Sequence, residues 1–391
     1  MDNNKSLRIL MILHMPWDRN LGGSRVQLEL ADEFWKMGHH IEKFDINDAF
    51  PNGQSSRLAQ FTRPSFSSKA KEFAIANGHR FDIIDAHQGN LPFTKQELKF
   101  KGLLVARSVG LYAFCEEYFK LEQQKWPQTK QGNPITNTLR SWRQMRERPY
   151  YVRSLETCDL INLPNEDEKI YVQEHWGLGD KCSVFPFGLS EKRQQLFTEA
   201  VPSTSIRLNN KQVVFIGYWG KRKGSRDWAE IIHRTKAKIS DVKFKFLGTG
   251  LSAEEVLQDL NLLPSDWIEI IPKYDSDELP SLLSGTTVGA FPSYMEGFGF
   301  AVLEKIACGL PTVAYDIPGP REMLKHVDPA LMVPVGDVNA FVEKLVSILT
   351  LERGHYEKLC QQCLEVVKNF SWPKIAAEQI QLYSQCYTNL N

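Results

Sequence analysis

The 391-residue sequence has no excess of either charge: Lys plus Arg and Asp plus Glu both total 47. That balance removes the global electrostatic case for a nucleic-acid binder. A long apolar run is missing as well. The run Ile9 to Leu13 stops at His14-Met15-Pro16-Trp17, too short for a signal-peptide core or a bilayer span. It reads as a first β-strand. Cysteine is sparse: seven residues, scattered and odd in number, argue for reduced thiols in the cytoplasm, the compartment expected for the chain. Cys360 and Cys363 form a lone CxxC with no second ligand pair nearby, so they read as two thiols on one helix face rather than a zinc site. No repeat of solenoid period and no long low-complexity tract is present. What remains is ordinary globular material, 42% hydrophobic and 24% charged. Its length suits two domains of roughly 190 residues each.

Strand-like and helix-like stretches alternate along the first half. Leu7 to Leu13, His40 to Phe44, Phe81 to Ala86, Gly102 to Arg107 and Leu160 to Leu163 are the strand candidates. Gly22-Gly23-Ser24 opens a helix in which Val26, Leu30, Ala31, Phe34 and Met37 share one face, and Gly38 stops it. Asn165 is placed to cap another, with Glu166, Asp167 and Glu168 as acids in its first turn. The second half restarts the rhythm with Gln212 to Ile216, Phe244 to Leu247, Trp267 to Ile271, Thr287 to Phe291, Thr312 to Tyr315 and Ala330 to Val333. Apolar strands separated by helices imply parallel sheets, and two such series imply two doubly wound α/β domains. The polar, weakly patterned stretch Leu189 to Lys211 reads as the linker. Domains of 1–190 and 191–372 follow. Ligands of open α/β sheets bind beyond the carboxyl ends of the strands, so chemistry is expected just after strands.

Three stretches lie there. Gly22-Gly23 follows the first strand, where missing side chains and free helix-start N–H groups favour an anion such as a phosphate. It is not GxGxxG, so no dinucleotide fingerprint is present. "FIGYWGKRKGS", residues 215–225, crowds Lys221, Arg222 and Lys223 into a glycine-rich loop suited to neutralising a diphosphate. Lys223-Gly224-Ser225 reverses the order that a Walker A loop requires. "EGFGFAVLE", residues 296–304, sets Glu296 at the entrance of a helix and Glu304 two turns along it. At 1.5 Å per residue their separation is roughly 12 Å, the reach from a sugar across a diphosphate to a ribose. The N–H groups of Gly297, Phe298, Gly299 and Phe300 would face the phosphates between.

On these residues the chain resembles the retaining, family-4 glycosyltransferases with the GT-B fold, over essentially its whole length. Gly22-Gly23, the Lys223-Gly224 loop and "NFSWPKIAAEQIQLY" support the resemblance; Glu-x7-Glu within "FPSYMEGFGFAVLEKIACGLPTVAY" is its specific element. The resemblance implies two Rossmann-like domains facing across a cleft, the first on the acceptor side and the second binding a nucleotide sugar. A hexosyl-type transfer from a nucleotide diphosphate donor with retention, and with neither cofactor nor essential metal, is implied too. By the same similarity Glu296 contacts the donor sugar, Glu304 the ribose and Lys223 the diphosphate, while the main chain around Lys273 and Tyr274 lines the base pocket. The terminal helix, 373–391, is expected to pack back on the first domain. Glu296, Lys223 and Arg222 are thus the catalytic candidates.

Two positions depart from the family pattern. In "VARSVGLY", Val109 stands where relatives often carry a histidine, leaving Arg107, Ser108 or His87 as candidates on the acceptor side. Tyr218 replaces a usual arginine, whose charge Arg222 would supply. Asp275-Ser276-Asp277 matches the DxD of metal-dependent transferases, yet it precedes an apolar pattern and reads as helix-start acids. The stretch 119–153, with Trp126, Arg140, Trp142, Arg143, Arg146 and Arg148, is a candidate surface for peripheral membrane contact and a lipid-linked acceptor; a solvated helical insertion is the blander account. A non-catalytic protein of the same fold, binding a nucleotide sugar or partner enzyme, and a nucleotide-sugar epimerase are the rival functions.

Overall fold

Strand pairing is parallel in both sheets. The computed structural model describes residues 6–19, 21–51, 65–127, 149–201 and 203–390. The chain divides into two compact units, one of residues 1–112, 123–188 and 372–391, the other of 113–122 and 189–371.

The first unit holds β1 (Arg8–Ile12), β2 (His40–Phe44), β3 (Ile83–His87), β4 (Leu103–Arg107), β5 (Leu160–Leu163) and β6 (Cys182–Val184), in the order β2-β1-β3-β4-β5-β6. Its central strands are buried along their whole length, as strands covered on both faces should be. β6 is absent from the expected series, because three residues with a central serine leave no apolar run to detect. Helix Gly22–Lys36 follows β1 and buries Val26, Leu30, Ala31 and Phe34. Helix Glu166–Trp176 follows β5, and the Asn165 side chain accepts from the Glu168 amide at 2.8 Å.

Helix Trp372–Thr388 belongs to this unit. Its Trp372 indole donates to the Glu29 carboxylate, and the Tyr383 ring lies 6.2 Å from that of Phe34. The Tyr383 hydroxyl donates to Asp85 Oδ2 at 2.7 Å. An aromatic residue with a polar tip can thus be fully buried beneath the sheet.

The second unit holds β7 (Gln212–Ile216), β8 (Lys243–Leu247), β9 (Ile268–Ile271), β10 (Val288–Phe291), β11 (Thr312–Tyr315) and β12 (Met332–Val333). Their order is β12-β11-β10-β7-β8-β9, so the chain reverses its direction of travel across the sheet between β7 and β10. In the first unit the corresponding reversal lies between β1 and β3. Such reversals leave an open crevice at the carboxyl ends of the strands.

The expected linker is corrected by the structure. Within 189–211 the chain forms helices Glu191–Glu199 and Thr204–Asn210. Neither carries an apolar stripe, which is why periodicity missed them. Their anchors are arginines: Arg207 donates to the carbonyls of Cys308 at 2.7 Å and Gly309 at 3.0 Å. Arg140, Trp142, Arg143, Arg146 and Arg148 of the basic, aromatic stretch lie outside the described residues. No helix among the described residues is long and apolar enough to cross a membrane.

Candidate functional site

In the second unit, β7 delivers the chain into Gly217 and then a single 3₁₀ turn, Lys221–Lys223, ended by Gly224. Gly224 has φ +82°, and a Cβ there would fall 2.1 Å from the Pro292 carbonyl oxygen. Only glycine therefore lets this loop lie against the loop leaving β10. The two loops are stitched together: the Arg222 carbonyl accepts from the Tyr294 amide at 2.8 Å and from Ser293 Oγ at 3.0 Å.

That stitching brings Lys223, Arg222 and Glu296 together. Lys223 forms an ion pair with the Glu296 carboxylate, and its Nζ sits 4.9 Å above the centre of the Phe291 ring. Arg222 Nη1 lies 3.7 Å from Glu296 Oε1 and donates to the Met295 carbonyl at 3.3 Å. Burial pushes the Glu296 carboxyl upward, but the charges of Lys223 and Arg222 and a bond from Gly297 hold it below the ordinary carboxylate range. Burial and the Arg222 charge lower the Lys223 ammonium, against the pull of Glu296.

Sequence reasoning missed a second lysine. Lys305 is fully buried, donates to the Ala290 carbonyl at 2.9 Å and sits 5.2 Å from the Phe291 ring centre. Burial, then the Lys223 charge, pushes it down to about 7. The one signal was Gly289 inside β10, where a Cβ would fall 2.6 Å from Lys305 Cδ.

Helix Phe300–Ala307 begins after Gly299, which caps it without a side-chain bond. Glu296 therefore lies in the preceding loop, and half of its eight-residue separation from Glu304 is non-helical. The helical-rise span of the sequence reading does not apply. Phe298 is buried, Phe300 half-buried, and Gly297 and Gly299 are covered. Glu304 faces inward, 6% exposed, and Arg193 Nη2 donates to its Oε1 at 2.9 Å.

Beyond β9 the chain passes through Lys273, exposed, and Tyr274, whose ring would contact a Cβ at Gly248 at 3.0 Å. Tyr218 is 62% exposed and its ring covers Gly250, where a Cβ would fall 2.4 Å away. The two tyrosines thus flank the Gly248–Gly250 turn after β8. Asp275 Oδ1 accepts from the Asp277 amide at 2.9 Å, and the Asp275 amide donates to Glu278 at 3.1 Å, a local turn leading into helix Leu279–Ser284. Among the described residues no group of three or more His, Cys, Asp or Glu is placed to hold a metal ion.

In the first unit the reversal between β1 and β3 gathers a different set. Gly22 starts its helix, and a Cβ on Gly23 would meet Met15 at 2.6 Å and Val109 at 3.5 Å, so Val109 packs beside the glycine pair. His14, not singled out from sequence, has its ring centre 5.1 Å from that of His87 and its Nδ1 3.0 Å from Asn90 Nδ2. Burial, then the His14 charge, pushes His87 down to about 3. A neutral His87 pointing Nδ1 at the Gln88 carbonyl, 3.2 Å away, carries its proton there, leaving Nε2 as a buried lone pair without a hydrogen-bond partner among the described residues.

Arg107 is engaged elsewhere. It holds Asp85 through Nε at 3.0 Å and Nη2 at 2.5 Å, and Nη2 also reaches Gln379 at 3.0 Å and Tyr383 at 2.9 Å. At 1% exposure it ties the terminal helix to the sheet and presents no charge to a ligand. Ser108 donates to Glu168 Oε2 at 2.7 Å, and the Leu111 amide donates to Oε1 at 3.1 Å. Glu168 is thus a buried anchor of the loop after β4 rather than a solvated first-turn acid, and burial pushes it up to about 7.

Residues 197–368 match the family model described as Glycosyl transferases group 1. An uncharacterized glycosyltransferase of Methanocaldococcus jannaschii is 21% identical, over 96% of this chain and 98% of its own length. Among solved structures, sucrose-phosphate synthase of Thermosynechococcus elongatus has a TM-score of 0.72 at 20% identity, covering 98% of this chain and all of its own. Anabaena HepE, whose structure holds UDP and glucose, has a TM-score of 0.67 at 14% identity, covering 97% of this chain and all of its own.

Proposed function

We propose, from the GT-B fold of the chain and the match of residues 197–368 to the group 1 glycosyl transferase model, that it transfers a sugar from a nucleotide diphosphate donor with retention of anomeric configuration. The observation that carries the reading is the Lys223–Arg222–Glu296 cluster at the reversal of the second sheet. Two cations beside one carboxylate suit a donor whose diphosphate leaves as negative charge develops and whose sugar needs a fixed acceptor of hydrogen bonds.

In this reading Lys223 and Arg222 stabilise the departing diphosphate, with the N–H groups of Gly297 to Phe300 adding to the field. Lys305 shares the Phe291 ring with Lys223. Glu296 positions the sugar and Glu304 the ribose. The acceptor attacks from the face that the diphosphate leaves, which retains configuration without a covalent intermediate. The cations perform the charge neutralisation that a metal performs in other transferases, so the reaction proceeds without one. Uridine donors are the first to test, because HepE holds UDP.

The test is a thermal-shift screen of nucleotide sugars on the parent protein and Lys223→Ala, followed by a transfer assay. A bound ligand raises apparent stability by mass action. A shift present in the parent and lost in the variant supports the site; no shift with any nucleotide sugar removes the reading. Val109, apolar and packed on Gly23, favours a second reading in which the protein binds a donor without turning it over. Donor binding with neither transfer nor hydrolysis selects that alternative.

A further inference from the structure

Helix Glu191–Glu199, within the segment that looked like a linker, places a buried cation against a turn and a helix of the second unit. Arg193 Nη2 donates to Glu304 Oε1 at 2.9 Å, while Nη1 donates to the Ser276 carbonyl at 3.3 Å and to its hydroxyl at 2.5 Å. The guanidinium lies 5.2 Å from the Phe197 ring centre, and the side chains of Arg193 and Glu304 are 10% and 8% exposed. One planar group therefore joins three elements: its own helix, the turn after β9 and helix Phe300–Ala307.

We propose that Arg193 is a positioning residue for the ribose of the donor. It fixes the plane of the Glu304 carboxylate and holds the turn that follows Lys273 and Tyr274 at a set distance from it. The inference rests on the reading of Glu304 as the ribose contact. Its physical basis is the fork of the guanidinium. Two nitrogens in one rigid plane address two different elements, which a single ammonium cannot reproduce. A carboxylate near the second turn of a helix has several rotamers; pinning one oxygen selects one of them. A ribose diol presents two hydroxyl donors at fixed spacing, so its recognition depends on that orientation. The diphosphate, held by Lys223 and Arg222, does not.

The chemistry gives a readout that general loss of stability does not move: the preference for a ribose over a 2′-deoxyribose. UDP, GDP and ADP are titrated calorimetrically against the parent protein, each beside its 2′-deoxy counterpart, and the tightest pair is carried forward. The parent is expected to prefer the ribose form by roughly tenfold or more, the scale of a hydrogen bond to a charged group. Arg193→Gln is expected to bring the two forms within about twofold, while inorganic pyrophosphate binds as before. Arg193→Lys, which keeps the charge and the aliphatic stem, guards against a variant that fails to fold and is expected to give an intermediate preference. Steady-state kinetics should show the donor KM rising in both, with kcat nearly unchanged.

A preference that vanishes in Glu304→Gln but persists in both Arg193 variants overturns the role of Arg193 and leaves the donor site standing. A preference untouched by Glu304→Gln overturns the ribose assignment itself. No binding of any nucleoside diphosphate by the folded parent overturns the donor-site reading, and this inference with it.

Discussion

Lys223 and Glu296 meet as an ion pair at the carboxyl ends of β7 and β10, the two strands between which the second sheet reverses its order. Neither residue reaches that position through its own element alone. Gly224 lets the β7 loop close onto Pro292, and the Arg222 carbonyl holds the β10 loop through Tyr294 and Ser293. The pair is therefore built by two backbones, and its cation is surplus: Arg222 lies within 3.7 Å of the same carboxylate. A surplus of positive charge at such a crevice is the feature on which the donor-site proposal rests.

Lys223→Ala is expected to weaken nucleotide diphosphate binding by roughly tenfold or more, since a charged hydrogen bond contributes ~1.5–3 kcal/mol. The substitution also strips Glu296 of its nearest cation, which by itself destabilises a buried carboxylate. The double variant Lys223→Ala, Glu296→Gln separates the two effects. Calorimetry should find its donor affinity as poor as that of Lys223→Ala while its melting temperature recovers. Unchanged affinity for every nucleotide sugar that binds the parent would remove Lys223 from the site.

Glu296 and Glu304 are expected to fail differently. Gly299, not Glu296, occupies the cap of helix Phe300–Ala307, so a capping role gives Glu296 no reason to matter. Glu296→Gln should cut turnover by about a hundredfold, the effect of a small misplacement of reacting atoms, while affinity for the sugar-free diphosphate stays within a few-fold. Glu304→Ala should mainly weaken that affinity. Glu296→Gln that melts lower yet transfers at the parental rate makes the glutamate structural and the sugar assignment wrong.

Much of the fold was legible because buried parallel strands are short apolar runs, and those such as Gln212–Ile216 and Thr312–Tyr315 stand out from polar helices. β6 carries no such run, and the two helices between 191 and 210 are held by Arg193 and Arg207 rather than by apolar stripes. The Lys223 loop and the Glu296 turn were legible because glycine and charge directly after a strand are local features. Lys305 and Glu168 were not: lysine and glutamate in a helix ordinarily face water, and only tertiary packing turns these two inward. Arg107 was named as an acceptor-side candidate in view of Val109, and its burial was not legible because its partners lie 22 and more than 270 residues away.

Arg107→Ala should destabilise the first unit by about 3–5 kcal/mol, because it leaves Asp85 buried without its cation. Tyr383→Phe removes one hydroxyl from the same network and should cost only about 1 kcal/mol. Denaturation midpoints compare the two directly. An Arg107→Ala protein as stable as Tyr383→Phe would mean that the guanidinium contributes no more than a neutral contact and is spare for a ligand.

Metal independence is expected from the same cations. The Asp275 carboxylate is occupied by the Asp277 amide in the turn before helix Leu279–Ser284. The double change of Asp275 and Asp277 to Asn should leave turnover within about threefold, a margin of under 1 kcal/mol, and EDTA should leave it unchanged. Turnover lost in EDTA and restored by manganese or magnesium overturns this view and returns the DxD to the site.

The buried Glu168 carboxyl sets a pH dependence whose sign can be worked out. Burial lifts it from the ordinary 4.5 to about 7, so the folded state holds the proton more tightly than the unfolded chain. Below pH 4.5 the group is protonated in both states and its contribution to stability is fully present. As pH rises toward 7 the unfolded chain releases the proton first, and stability falls by about 3 kcal/mol across that window. His87 acts in the opposite sense: pushed down from 6.5 to about 3, it adds stability above pH 6.5 that is lost as pH falls. The two slopes oppose each other between about pH 4.5 and 6.5, so the parent's curve alone cannot assign either. Glu168→Gln removes one of them. Any fixed cost of the amide among Ser108, Leu111 and Asn165 is the same at every pH. The stability difference between parent and variant should therefore move by about 3 kcal/mol in the variant's favour from pH 4.5 to pH 8, measured by urea midpoints. Parallel curves for the two proteins would show that Glu168 is ionised throughout, and that the loop carrying Val109 is held by a charge rather than by a neutral acid.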